Sequence, residues 1–181
     1  MHLITLAMAT VVAAPRGSVW AALTEPEQVI HWRPGVTGLL AAAPREPTPG
    51  RVLRLRCILR DVPVTLEERA LEVTAQEKLR SDLRFGLFHG EETFTLAAAD
   101  PDGGHTRVAL RIATPSETPL FGGSLDRFGV RRFATELTGN SLAALRDWCE
   151  LGRSAALRAP LDVQILGDEA SRVVEALPRE R

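Results

Sequence analysis

The sequence predicts an α+β fold: an antiparallel sheet of about seven strands packed on a long C-terminal helix, with two short helices between the first two strands. Three observations carry this. Runs of alternating apolar and polar residues recur between 36 and 114 with short turns between them, which favours an antiparallel meander over a parallel sheet with helical crossovers. Residues 15–33 replace that alternation with apolar residues three and four apart. The same helical spacing returns over residues 124–150 and is sustained there.

The elements follow in order. Ile4, Leu6, Met8, Thr10 and Val12 share one face of the first strand, because successive side chains point to opposite sides of a pleat. Pro15 ends it and suits the first turn of a helix, whose inward stripe is Val19, Trp20 and Leu23. Thr24 is placed to cap a second helix in which Pro26 sits early, Val29 and Trp32 face inward, and His31 beside Trp32 caps or covers the helix on the surface. Pro34-Gly35 breaks that helix. A strand over Val36–Ala42 and a loop through Pro44, Pro47, Pro49 and Gly50 come next. In Arg51–Leu59, Leu53, Leu55, Cys57 and Leu59 oppose Arg54, Arg56 and Ile58, and Asp61-Val62-Pro63 is the turn that follows. Val64–Thr74, Lys78–Phe85, Gly86–Ala98 and Thr106–Thr114 complete the sheet, with a turn over Asp100–Gly104 and His105 in the turn before the last strand. Residues 115–123, with Pro119, Phe121 and two adjacent glycines, are either a movable flap or a rigid turn. The long helix spans Ser124–Glu150, with Ser124 as its cap, Asp126 at its positive end and an apolar stripe through Leu125, Phe128, Phe133, Leu137, Ala144, Leu145 and Trp148.

The run VVAAPRGSVWAALTEPEQVIHWRPGV resembles the N-terminal signature of the START, polyketide-cyclase and birch-pollen-allergen superfamily (SRPBCC, helix-grip). The ETFTL run at 92–96, the turn Asp102-Gly103-Gly104 before Thr106, and a closing helix through Leu142, Leu145 and Trp148 stand in that family's order. The resemblance covers about residues 2–152 and implies a helix-grip fold, a curved sheet wrapped around the closing helix, with a ligand set by the residues that line its cavity. It divides the chain into a ligand-binding domain at 1–152 and an extension at 153–181. In the extension, Leu161, Val163, Ile165 and Leu166 alternate before a short helix with Val173, Val174 and Leu177. That pattern suits an added edge strand, a cover over the cavity, a homodimer contact or a loosely ordered tail.

Composition narrows the partners. The 181 residues fit one domain with a tail, and 45% hydrophobic content suffices for a core. A net charge of −1, spread along the chain, gives no electrostatic case for nucleic acid or an anionic membrane. No integral membrane segment is predicted, and the N-terminus reads as a strand rather than a signal peptide. Cys57 and Cys149 have neither CxxC spacing nor a histidine beside them, which fits a reducing cytoplasm. Lys78 is the sole lysine and tyrosine is absent, as a GC-rich bacterial genome would give.

Candidate chemistry is sparse. His2, His31, His89 and His105 form no metal motif, so neither a metal nor any other cofactor is expected. No nucleophile elbow or phosphate-binding glycine loop is present. His89, near Glu91 and Glu92, is either a general base in the cavity or a solvated ladder residue; parity sets Glu92, Phe94 and Leu96 on one face and His89 with Glu91 on the other. In VTLEERALEV, two-residue alternation from Leu71 and Val73 brings Arg69 and Glu67 inward, whereas a bulge puts Glu68 inside. Arg69 with Glu67 or Glu92 is the expected polar anchor at the cavity floor, the alternative being a cross-strand pair in solvent. Arg132, Glu136 and Asn140 lie four apart beside the stripe, at the cavity border or on a solvated flank.

The expected ligand-binding residues are therefore Phe88, Phe94, Leu96, Arg69, Leu71, Phe128, Phe133, Leu137 and Asn140, with His89, Glu92 and Arg69 the candidates for catalysis. The preferred reading is a non-catalytic carrier of a lipid, polyketide-like or isoprenoid molecule. A cyclase or aromatase that folds a poly-ketone and moves protons is the alternative, and a co-chaperone-like or stress-related interaction protein the third.

Overall fold

The computed structural model describes residues 3–59, 62–86, 88–115, 118–120, 123–125 and 127–152. Strand β1 (Leu3–Val12) leads into helices α1 (Arg16–Thr24) and α2 (Pro26–Trp32). Then come β2 (Val36–Leu39), β3 (Val52–Leu59), β4 (Val62–Thr74), β5 (Lys78–Phe85), β6 (Phe88–Ala98) and β7 (Thr106–Pro115). A small hairpin, β8 (Thr118–Leu120) with β9 (Gly123–Leu125), precedes α3 (Arg127–Leu151).

The first seven strands form one antiparallel sheet in the order β1-β7-β6-β5-β4-β3-β2. Consecutive strands pair as a meander, while β1 and β2, separated by the two helices, end up on opposite edges. The helices α1, α2 and α3 cover one face, the arrangement of a helix-grip fold. Alternation decides which side chains meet them. In β6, Phe88, Gly90, Glu92, Phe94 and Leu96 are buried while His89, Thr95 and Ala97 are exposed.

Two apolar clusters fill that face. One gathers Val12, Leu23, Trp32, Phe94, Leu110 and Trp148 where α1, α2 and the end of α3 meet β1, β6 and β7. The other gathers Leu53, Leu55, Leu83, Phe85, Phe88 and Phe133 over β3, β5 and β6. Within it the Phe85 and Phe88 rings stack at 4.5 Å and the Phe133 ring meets Phe88 edge-on at 5.3 Å, geometries that aromatic quadrupoles favour. Leu137 of α3 packs against both clusters. The end of α3 is tied to the sheet by the Ala13 N–H, which donates to Glu150 Oε1 at 2.8 Å.

Several local expectations are corrected. Thr24 does not cap α2; its hydroxyl donates to the Trp20 carbonyl at 2.8 Å, the back-bond an internal threonine makes one turn earlier. Strand β4 begins at Val62, so Val62 and Pro63 belong to the strand rather than the turn, and β2 is shorter than the predicted run. Thr118–Leu120 pairs with Gly123–Leu125 as β8 and β9, so Ser124 lies in a strand and α3 starts at Arg127. Phe128, expected inward, is 81% exposed. The physical reason is its spacing. Five residues before Phe133 is about 140° around a helix of 3.6 residues per turn, which carries Phe128 away from the stripe through Val130, Phe133, Leu137, Leu145 and Trp148. The readings of Asp61, Phe121, Asp126 and the extension 153–181 lie outside the described residues.

Candidate functional site

The site is a charged group on the helix-covered face of the sheet. The end of α2 positions its cation. Trp32 is buried and donates Nε1–H to the Ala22 carbonyl at 2.7 Å, locking α2 against α1. The next residue, Arg33, is the C-cap, with its N–H on the Val29 carbonyl. Gly35 then turns the chain into β2 with φ +74°, where a Cβ would stand 2.9 Å from the Ile58 carbonyl oxygen. Only glycine passes there without strain, and the turn aims Arg33 at the sheet.

The carboxylates come from the sheet. Glu92 of β6 faces Ser81 of β5 and Ile112 of β7 in register, and Glu68 of β4 faces Leu83 of β5. Arg33 Nη1 donates to Glu68 Oε2 at 2.6 Å, and Nη2 donates to Glu92 Oε1 and Oε2 at 2.8 and 3.0 Å. Ser81 Oγ donates to Glu68 Oε1 at 3.1 Å. The Arg33, Glu68 and Glu92 side chains are only 9%, 3% and 3% exposed.

Burial at this depth reshapes the titration. Desolvation pushes the Glu92 carboxyl up, Arg33 pulls it down and Glu68 pushes it up again, leaving it at about 6. Burial alone would lower Arg33; Glu92 and then Glu68 more than reverse that, so the guanidinium is held protonated. Burial raises the Cys57 thiol to about 11 in spite of Arg33, and the Cys149 thiol to about 12, so neither supplies a thiolate near neutral pH. Burial also lowers Arg51, partly offset by Glu68. Its Nη1 donates to the carbonyls of Thr24 at 2.8 Å, Arg45 at 3.2 Å and Pro44 at 3.3 Å, pinning the end of α1 to the start of β3.

The expected anchor thus keeps Glu92 and changes its arginine. The strand β4 shifts register between Ala70 and Glu72, so Glu68 and Ala70 point inward and Leu71 is 38% exposed. Arg69 lies on the outer face, its side chain 51% exposed and 3.8 Å from Glu67, which also takes a 3.2 Å bond from Arg54. His89 is exposed on that outer face. Asn140 is exposed too, and Arg132 pairs with Glu136 in solvent at 2.9 Å. The structure brings Phe88, Phe94, Leu96 and Phe133 into the buried face, with Leu137 half-buried above it. Arg33 escaped the sequence reading, which carried the helical spacing through residue 33, set the break at Pro34-Gly35 and gave Arg33 no role. The usable signal was its place directly after a buried tryptophan, with two inward carboxylates needing a cation.

Elsewhere, a hollow of 160 Å³ lined by Ser18, Ala22, Gln28, Trp148, Cys149 and Gly152 opens where the end of α3 meets α1 and α2. His31 stacks on Trp148 beside it at 5.4 Å. Among the described residues no cluster of histidine, cysteine or acidic side chains is arranged to hold a metal ion, and no helix is long and apolar enough to cross a membrane.

A seven-stranded antiparallel sheet packed on a long C-terminal helix is the helix-grip arrangement. The family profile described as polyketide cyclase / dehydrase and lipid transport matches residues 4–150, and the chain belongs to that family. Among solved structures it is similar to the Zhui aromatase/cyclase from Streptomyces sp. R1128, at 15% identity over 82% of this chain and 94% of that one, with a TM-score of 0.65. It is similar to a START superfamily protein from Mycobacterium smegmatis at 18% identity over 80% and 96%, with a TM-score of 0.65. Protein CV1439 from Chromobacterium violaceum is similar at 19% identity over 81% and 96%, with a TM-score of 0.59. Among curated proteins none matches the chain in sequence.

Proposed function

We propose that the protein binds a small hydrophobic molecule between the sheet and α3, and that the Arg33–Glu68–Glu92 group orients it. One observation carries this reading. A charged row crosses the inward face between two apolar clusters, both of them touched by Leu137. A buried ion pair adds little to stability over an apolar packing of the same volume, so its place at the centre of a core is better explained by a ligand's polar group. Apolar walls with a few fixed polar groups are the usual composition of such sites. Membership of a family that includes lipid transport supports the reading, and Phe88, Phe94, Leu96, Phe133 and Leu137 are its proposed walls. The two free thiols suit a reducing compartment, and we place the protein in the cytoplasm.

Titration of the full chain with the neutral fluorophore N-phenyl-1-naphthylamine tests this. The expected result is a saturable rise in emission at one site per chain. A weak response that grows linearly with probe would overturn it.

A second reading has its own observation. Glu92, at about 6, can hold or release a proton near neutrality, and Arg33 beside it can steady a developing enolate. This is the chemistry a cyclase or dehydratase needs, and the fold is shared with a protein named as an aromatase/cyclase. Recovery of an added aromatic-polyketide mimic unchanged favours the carrier; recovery as a cyclised or dehydrated product favours the enzyme.

A further inference from the structure

We infer that the ligand's polar group is a neutral hydrogen-bond donor, an alcohol or phenol hydroxyl, accepted by Glu92, and that carboxylate ligands such as free fatty acids are disfavoured. The inference rests on the carrier reading and narrows its ligand class. Two carboxylates share one guanidinium on a face where all three side chains are at least nine-tenths buried. Glu68 is well supplied, with Arg33 Nη1 on Oε2 and the Ser81 hydroxyl on Oε1. Both oxygens of Glu92 instead divide a single donor nitrogen, Nη2 of Arg33, at 2.8 and 3.0 Å. A carboxylate offers roughly four lone-pair sites, so Glu92 keeps acceptor capacity that nothing else in the described structure fills.

A ligand hydroxyl supplies the missing donor and brings no further charge to desolvate. A ligand carboxylate does the opposite. It would be a third anion around one guanidinium whose donors already serve Glu68 and Glu92. The neighbouring buried arginine, Arg51, spends Nη1 on the backbone carbonyls of Thr24, Pro44 and Arg45 and keeps a buried Nε without a partner, but its charge acts on Glu68 rather than on Glu92. Like charges at hydrogen-bond distance on a buried face disfavour the ionised form of one of them.

Competition against bound N-phenyl-1-naphthylamine tests the inference with two matched pairs, decan-1-ol against decanoate and 2-naphthol against 2-naphthoate, at about pH 8, where both acids are ionised. The unaltered protein is expected to prefer the hydroxyl member of whichever pair fits by about tenfold or more, and Glu92→Gln to reduce that preference to about threefold or less. A carboxylate bound as well as its hydroxyl partner overturns the inference even if the variant fails to fold, because that comparison needs no variant. A preference that survives in folded Glu92→Gln also overturns it. If the fluorophore itself does not bind, the carrier reading falls and the anchor with it, a result distinct from binding with the wrong preference.

Discussion

Arg33 and Glu92, 59 residues apart in sequence, meet through Nη2 at 2.8 and 3.0 Å on the buried face of the sheet. The contact joins the end of α2 to the centre of the meander, so the position of the helix pair and the charge state of the interior are linked. Each carboxylate is acceptable there only because the guanidinium is present.

Replacing Arg33 with leucine is therefore expected to be among the most damaging single changes. It leaves Glu68 and Glu92 buried without a cation, and breaking such a group costs about 3–5 kcal/mol. Urea unfolding at constant pH measures it. A loss of less than about 1 kcal/mol would show that the carboxylates find water or other partners.

Glu92 gives the stability a pH dependence of defined direction. Its carboxyl is raised from the ordinary glutamate range to about 6, so the native state holds that proton more tightly than the unfolded chain does. The unfolding free energy should fall as pH rises through the window from about 4.5 to 6, by on the order of 1–2 kcal/mol. The groups facing Glu92 are Arg33 from α2 and Glu68 and Ser81 from the sheet, with Cys57 near Arg33 and Arg51 near Glu68. Comparing wild type with Glu92→Gln by urea titration across this window isolates the contribution, since the exposed acids titrate alike in both. Parallel curves would refute the assignment.

Gly35→Ala tests the turn that aims Arg33. The added Cβ would sit 2.9 Å from the Ile58 carbonyl at φ +74°, and a left-handed conformation forced on a non-glycine residue costs on the order of 1–3 kcal/mol. A lowered thermal midpoint is expected. Gly38→Ala, where nothing lies within 4 Å, should be far milder.

The two phenylalanines of α3 should separate cleanly. Phe133, at 2% exposure, packs on Phe85 and Phe88, and its replacement by alanine should cost about 3–5 kcal/mol. Phe128→Ser, at an exposed position, should stay within about 0.5 kcal/mol. Equal losses in denaturant unfolding would contradict the register of the helix.

Why some of this was readable in sequence and some was not has a physical basis. Strand alternation is strictly periodic, so the inward set Glu92, Phe94 and Leu96 and the outward His89 follow from parity alone. The same rule fails at Leu71 because the register shift after Ala70 reverses parity, and nothing in the residues of β4 dictates where that shift falls. Phe128 was misplaced by apolarity outweighing angle. Arg33 was missed because its role depends on contacts 35 and 59 residues away, which no local pattern encodes. The family's fold-building residues are local and repetitive, whereas the group that would recognise a ligand is assembled from α2, β4, β5 and β6.

The most direct test of the account is native mass spectrometry of the full-length protein as purified, followed by organic extraction and identification of what is released. The account predicts one apolar molecule per chain, bearing a hydroxyl and no carboxylate, and lost from Arg33→Leu. A protein that emerges empty and also fails to take up N-phenyl-1-naphthylamine would contradict it.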